Sequence, residues 1–235
     1  VPYPLATPDD LKETVRAVEA LGRRVVARQA DVRDIDQLLA AVADGVGELG
    51  RLDIVCANAG IVPPFVGPTD PASRSRAFAQ VVDINLTGVF RTVEACKQAV
   101  IDSGDGGSII VTSSLAGLRA IGAGGGYGES KHGLVGLVRC YAQELAPHHI
   151  RVNSIHPTNV RTPMLINEAT MRAFRPDLEH PTEDDALEGF QTLNLLPVPY
   201  IEAADVSDTV LFLASAESRF ITGAAIPVDA GGAVK

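Results

Sequence analysis

The sequence predicts a doubly wound α/β fold, a parallel sheet covered by helices on both faces, and three observations carry that prediction. Short runs rich in Val and Ile alternate along the chain with longer stretches of helical periodicity. The short runs are nearly continuously apolar, as in strands buried on both faces. Polar residues such as Asp31, Asn58 and Ser114 close successive runs, together with the 157–164 segment. They fall at the carboxyl ends of strands, where ligands of such folds bind.

Each element follows from local signals. A helix is expected from about Pro8 to Leu21, with Thr7 as N-cap, Pro8 at the first helical position and acidic residues in the first turn. RRVVARQADV is expected as a strand. RDIDQLLAAVADGVGELG reads as a helix with apolar Ile35, Leu38, Leu39, Val42 and Val46, and RLDIVCANAG as a buried strand. A long helix from about Ser73 to Ser103 precedes the strand SIIVTSS, and a helix from Tyr127 to about Leu145 precedes the strand IRVNSIHP. After Met164 an insertion of less regular pattern, 165–200, leads to the helix ADVSDTVLFLAS and a last strand, AAIPVDA. Residues 1–235 are expected to form a single domain.

Composition narrows the function. At 46% hydrophobic and 21% charged residues the chain can bury one substantial core. A net charge of −9 argues against a nucleic-acid partner or an anionic membrane surface, both of which need clustered Lys and Arg. Cys56, Cys96 and Cys140 are an odd number, widely spaced in apolar runs, and read as reduced core residues of a cytoplasmic protein. No stretch is apolar and long enough to span a bilayer, and VPYPLATPDD lacks the parts of a signal peptide. No metal site is expected: His132 faces away from its neighbour Lys131, His148, His149 and His180 lack partners at ligand spacing, and His156 reads as a packed residue at a strand end.

The most informative cluster is Tyr127 and Lys131, four residues apart on one helix, with Ser114 thirteen positions upstream at a strand end. Positions i and i+4 share a helix face, so the ammonium can sit beside the phenol or bridge to it through a bound ribose. A free tyrosine has a pKa near 10, and an adjacent cation favours the phenolate, which makes a usable proton donor and acceptor. Ser114 could hydrogen-bond the oxygen that gains or loses the proton, and Ser113 competes for that part. A Tyr-Lys pair at this spacing is common by chance, so its context decides.

That context is CANAG (Cys56 to Gly60), DINLTGVF, VTSSLAG, IRVNSIHPTNVRTPM and ITGAAIPVDAGG in this order. The set resembles the short-chain dehydrogenase/reductase family over nearly the whole chain. The resemblance implies a Rossmann-like sheet, NAD or NADP as cofactor, oxidoreductase activity on an alcohol or ketone, and a homotetramer. It implies a catalytic Asn85, Ser114, Tyr127 and Lys131, in which Asn85 holds a water that connects Lys131 to solvent. A helix-bending core Asn is the plainer alternative at position 85. Cofactor contacts are implied at Asp31 and Val32, near the adenine, and at Asn58, Ala59 and Gly60, under the adenosine ribose. Tyr127 and Lys131 would meet the nicotinamide ribose, and backbone near Val160 the carboxamide. Thr162 would touch a phosphate while capping the next helix, and Asp31 has a helix-capping alternative.

Thr158 stands where the family usually has Gly after Pro157. With the PYPLATPDDL lead-in and the 165–200 segment, it looks like the carveol-dehydrogenase-like, mycofactocin-associated branch. There NAD is held tightly and bound NADH is re-oxidised in place by a redox partner. The candidate substrate residues are Leu115, Met164 and Phe174, with Pro64, Phe65, Leu118, Leu165 and Phe190 as further pocket candidates. Nearly all are apolar and fit a hydrophobic cyclic secondary alcohol, and several could be ordinary core.

The family's opening strand, its Gly-rich turn and its second strand are absent from this sequence, a stretch of about 40 residues if one βαβ unit takes roughly 30 or more. The Gly122 to Gly126 run is no substitute, because it lies between Ser114 and Tyr127. The expectation is that the sequence is part of a longer protein, which an intact mass near 24.7 kDa for a folded sample would contradict. Three functions stay open: an NAD-dependent alcohol dehydrogenase, an NADPH-dependent ketoreductase, and a non-catalytic cofactor-sensing or scaffolding protein.

Overall fold

Among the described residues, four parallel strands pair in chain order: β1 (Ile54–Ala57), β2 (Gly107–Thr112), β3 (Ile150–Pro157) and β4 (Ala225–Val228). The computed structural model describes residues 1, 3–64, 67–121 and 125–235. Phe65 and Gly122 to Gly124, named above, lie outside the described residues.

Side-chain alternation along β2 explains both layers. Ile109 and Val111 point to one face, where Val93, Val100, Leu134, Val138 and Leu145 bury against them. Those residues come from α4 (Gly88–Ser103) and α5 (Tyr127–Leu145). Ile110 points to the other face and packs with Ile155 and with Leu213 of α8 (Ala203–Ala214). Burying these apolar faces supplies the main drive for folding, at about 25 cal/mol per Å² removed from water.

The first helix runs as expected: α1 (Pro8–Ala20) carries a capping box in which Thr7 and Asp10 satisfy each other's backbone N–H groups. It buries none of its residues, and neither does α2 (Ile35–Leu49), although Val42 packs on the main core. Asp34 caps α2 by accepting from the N–H groups of Asp36 and Gln37, so the capping alternative raised for Asp31 falls to its neighbour.

The segment expected as a strand, RRVVARQADV, has no ladder, because no strand lies beside it among the described residues. It is held to α2 by side chains: Arg24 donates to the Glu48 carbonyl and Arg28 to the Asp44 carboxylate. β1 is likewise half-buried instead of buried, with Val55 and Ala57 inward and Ile54 and Cys56 exposed. All three cysteines are free, but Cys56 and Cys140 are at the surface and only Cys96 is in the core.

The long central helix is continuous but irregular. α3 (Pro71–Val82) runs through a π-turn, Asp83–Thr87, into α4. The 165–200 insertion contains two helices that its pattern did not suggest, α6 (Glu168–Phe174) and α7 (Glu183–Gln191). Among the described residues no helix is long and apolar enough to cross a membrane, and no cluster of His, Cys, Asp or Glu could hold a metal.

Candidate active site

β2 ends at Thr112, and the next two residues diverge in use. Ser113 is buried, and its hydroxyl donates to the Lys131 carbonyl at 2.9 Å, which commits it to holding α5. Ser114 is extended, caps the single turn Leu115–Gly117, accepts from the Ala116 N–H at 3.1 Å and hydrogen-bonds the Tyr127 side chain. The structure therefore separates the two competing serines, and Ser114 is the one at the phenol.

Tyr127 opens α5 directly after Gly126, whose φ of 86° is left-handed backbone that favours glycine. A Cβ there would also lie 3.0 Å from the Phe78 carbonyl, so glycine brings α5 against α3. One turn on, Lys131 is 5% exposed, with Nζ donating to the Thr112 carbonyl at 2.9 Å and standing 5.7 Å from the centre of the Tyr127 ring. Tyr127, Lys131 and Ser114 thus converge at the carboxyl end of β2.

Asn85 is fully buried inside the π-turn. Its amide accepts from the Ile61 N–H and donates to the Ile61 carbonyl, both at 2.8 Å. Helix irregularity and site position coincide here, as π-turns often do. The side chain is committed to Ile61, so a water held at this position would have to be held by backbone. Gly60 completes the wall: a Cβ on it would lie 3.3 Å from Asn85 Oδ1 and 3.6 Å from Lys131 Nζ. Asn58 and Ala59, just before it, are exposed.

The electrostatics depart from the expectation of a lowered Tyr127 pKa. Burial raises the phenol above its usual value, the Ser114 hydrogen bond opposes this, and Tyr3 adds to the rise. Desolvation also draws Lys131 down to about 8. The Tyr3 hydroxyl accepts from the Val62 N–H at 2.9 Å beside this cluster, a placement that its distance in sequence concealed.

The remaining predicted residues lie on other loops and turns of the chain. Asp31 forms a fork with Arg33, which holds its carboxyl down at about 2. Val32 packs on Gly88, where a Cβ would come within 2.7 Å of Val32 Cγ2. Val160 forms a parallel bridge with Ile201, made by bonds to Asn159 and Arg161 on either side of it. That pattern turns the Val160 N–H away from Ile201. Thr162 opens a turn to Leu165 and Ile166 instead of capping a helix, and Asn167 caps α6. Leu115 is buried, Met164 is 39% exposed, and Phe174 packs edge-to-face on Phe190 at 4.8 Å. Phe190 itself is fully buried, which makes it core under the insertion and not a pocket wall.

Thr158 has a clear use in place of glycine. Its hydroxyl donates to Asn194 Oδ1 at 2.6 Å, and the adjacent Asn159 amide reaches the Phe190 carbonyl at 3.2 Å. These side chains tie the insertion to the end of β3.

Residues 5–233 match the family model described as enoyl-(acyl carrier protein) reductase. The (−)-trans-carveol dehydrogenase of Rhodococcus erythropolis is 51% identical over 99% of this chain and 83% of its own length. The chain belongs to the short-chain dehydrogenase/reductase family. A cyclohexanol dehydrogenase of Acinetobacter is more distant, 31% identical over 93% of this chain and 78% of its length. Carveol dehydrogenase from Mycobacterium avium in complex with NAD superposes with a TM-score of 0.95 at 49% identity, covering 99% of this chain and 83% of that one. As a short-chain dehydrogenase/reductase of the carveol-dehydrogenase-like type, the protein is an oxidoreductase, and its sheet and helices match those of its solved relatives.

Proposed function

We propose that this protein is an NAD-dependent dehydrogenase of hydrophobic cyclic secondary alcohols, with Tyr127 taking the hydroxyl proton. The observation that carries the reading is the convergence of Ser114, Tyr127 and Lys131 at the end of β2. The names of the relatives, which include carveol and cyclohexanol dehydrogenases, point to the same substrate class.

The cleft fits NAD chemically. Gly60 leaves space where a Cβ would approach Lys131 Nζ, and that ammonium uses one hydrogen bond on Thr112, leaving N–H groups for a ribose diol. Asp31, Val32, Asn58 and Ala59 lie toward the adenosine end of this reading, with the Val160 N–H for the carboxamide and Thr162 for a phosphate. When bound, NAD supplies the ring that accepts hydride from the alcohol carbon. The chain's part is to orient the alcohol oxygen and move its proton. Ser114 donates to that oxygen, and Tyr127 accepts the proton in oxidation and returns it in reduction. Burial favours the protonated phenol, which suits the reductive direction. The Ser114 hydrogen bond favours its ionisation for oxidation, and in this reading the Lys131 cation, 5.7 Å from the ring centre, would add to that once it is drawn to the phenolate. Backbone of the π-turn around Asn85 would link Lys131 to water.

Leu115, Leu118, Met164, Leu165 and Phe174 supply the apolar side of the substrate site. Tight retention of NAD, with re-oxidation of bound NADH by a redox partner as in the mycofactocin-associated branch, is part of the same proposal and rests on the likeness to carveol dehydrogenases. A homotetramer in the cytoplasm is carried as part of the same proposal, and apolar side chains at the surface such as Leu211 and Phe220 are ones that assembly could cover. Tyr127→Phe tests the reading: turnover should fall by at least about 10²-fold while NAD affinity by calorimetry stays unchanged. Retention of substantial activity would overturn it.

A further inference from the structure

His156 lies on β3 and is fully buried, yet its ring is engaged at both nitrogens. Nδ1 is 2.8 Å from the Ser114 carbonyl, and Nε2 is 2.9 Å from the Ser154 hydroxyl. A carbonyl oxygen can only accept, so Nδ1 carries the proton and donates to Ser114. In the neutral ring Nε2 is then an acceptor, and Ser154 donates to it. The cationic ring would need Ser154 to turn its proton to the Ala224 carbonyl, 3.4 Å away, a poorer bond. Burial also holds the ring toward the neutral form, with Lys131 and His132 acting in the same direction and the Ser114 bond and Asp229 opposing.

The consequence falls on Ser114. Its carbonyl accepts from His156 Nδ1 and from the Gly117 N–H at 2.8 Å, while its hydroxyl accepts from the Ala116 N–H. Gly117 and Ala116 belong to the turn that Ser114 itself caps, so they move with it. His156 is the side chain that ties this serine to the neighbouring strand, beyond the last ladder pair Thr112 and Ile155. With the backbone fixed and one lone pair of the oxygen taken by the Ala116 N–H, the Ser114 hydroxyl is held toward the Tyr127 side chain, its other partner.

We propose that His156 is a positioning residue that fixes the Ser114 backbone, and through it the direction in which the Ser114 hydroxyl donates. The proposal rests on the dehydrogenase reading above for its assay. It also sets a geometric demand on the side chain at this position: a donor at the place of Nδ1. Asparagine offers an amide N–H there, glutamine places its amide nearer Nε2, and leucine offers none.

The test compares His156→Leu, His156→Asn and His156→Gln in NAD-dependent oxidation of a cyclic secondary alcohol. His156→Leu and His156→Gln should lower kcat by about tenfold or more with the KM for NAD unchanged, and His156→Asn should restore it to within about threefold. In a Ser114→Ala background, His156→Leu should cost little more in kcat, because the hydroxyl that His156 orients is already gone. Equal losses in all three variants, or additive losses in the Ser114→Ala background, would mean that His156 is only a packing residue and overturn the proposal. Should the leucine variant not fold, the asparagine and glutamine pair decides the same question. If wild-type protein has no NAD-dependent turnover, the dehydrogenase reading fails instead, and thermal unfolding with Ser114 hydroxyl-proton exchange by NMR compares His156→Asn with His156→Gln. Faster exchange in the glutamine variant alone supports the positioning role, and equal exchange refutes it.

Discussion

At Lys131 a cation with a hydrogen bond to Thr112 is almost excluded from water, and desolvation lowers its pKa from 10.5 to about 8. The sign of the linkage follows. Below about pH 8 the folded and unfolded chains both carry the proton, and the cost of burying the charge is fully present. Between about 8 and 10.5 the unfolded chain still binds a proton that the folded chain has released, so stability rises with pH. Relative to Lys131→Met, wild-type protein should gain stability from pH 7.5 to pH 10 in urea unfolding, and parallel curves would contradict the shift. The Tyr127 and Lys131 pair was legible in the sequence because helical spacing is local. Ser113 and Ser114, adjacent in sequence, have different partners, the Lys131 carbonyl for the first and the Tyr127 side chain for the second, a difference that no local pattern expresses. The link from His156 to Ser114 spans two strands and left no local signal beyond a histidine beside a strand-ending proline.

Among the elements, the π-turn at Asp83–Thr87 is the irregularity that places Asn85 against Ile61. Removing that amide leaves a backbone donor and acceptor of a half-buried loop without partners. Asn85→Leu should therefore cost about 2 kcal/mol or more in urea unfolding. A cost near zero would mean that water replaces the amide fully. Asparagine in a helical pattern hinted at an irregularity, but the π geometry depends on the loop it receives. The insertion carries helix start signals that its irregular apolar pattern hides. Thr182 and Asp185 form a capping box for α7, and Asn167 caps α6, so start signals were present without a long apolar period behind them. RRVVARQADV is the opposite case: it has strand propensity, but a strand needs a neighbour to complete its hydrogen bonds, and none lies beside it among the described residues.

Over the whole molecule, the parallel, helix-covered sheet was legible in the alternating local patterns, since each parallel crossover carries a helix, and among the described residues its four strands pair in chain order. Close packing between layers is set by small residues. A Cβ on Gly117 would lie 2.5 Å from Ser113 Oγ and 2.6 Å from the Lys131 carbonyl. Gly117→Ala should push the Ser114 turn off α5 and lower both stability and turnover, and a variant with wild-type values in both would show that the turn relaxes freely. The central claim is hydride transfer at the Ser114, Tyr127 and Lys131 cluster. The most direct measurement is mass spectrometry of the cofactor recovered by denaturing the protein after a single turnover with NAD and a cyclic secondary alcohol deuterated at the carbinol carbon. The account predicts reduced cofactor carrying the deuterium, together with the matching ketone. Unlabelled, unreduced cofactor and unchanged alcohol across a panel of such substrates would contradict it.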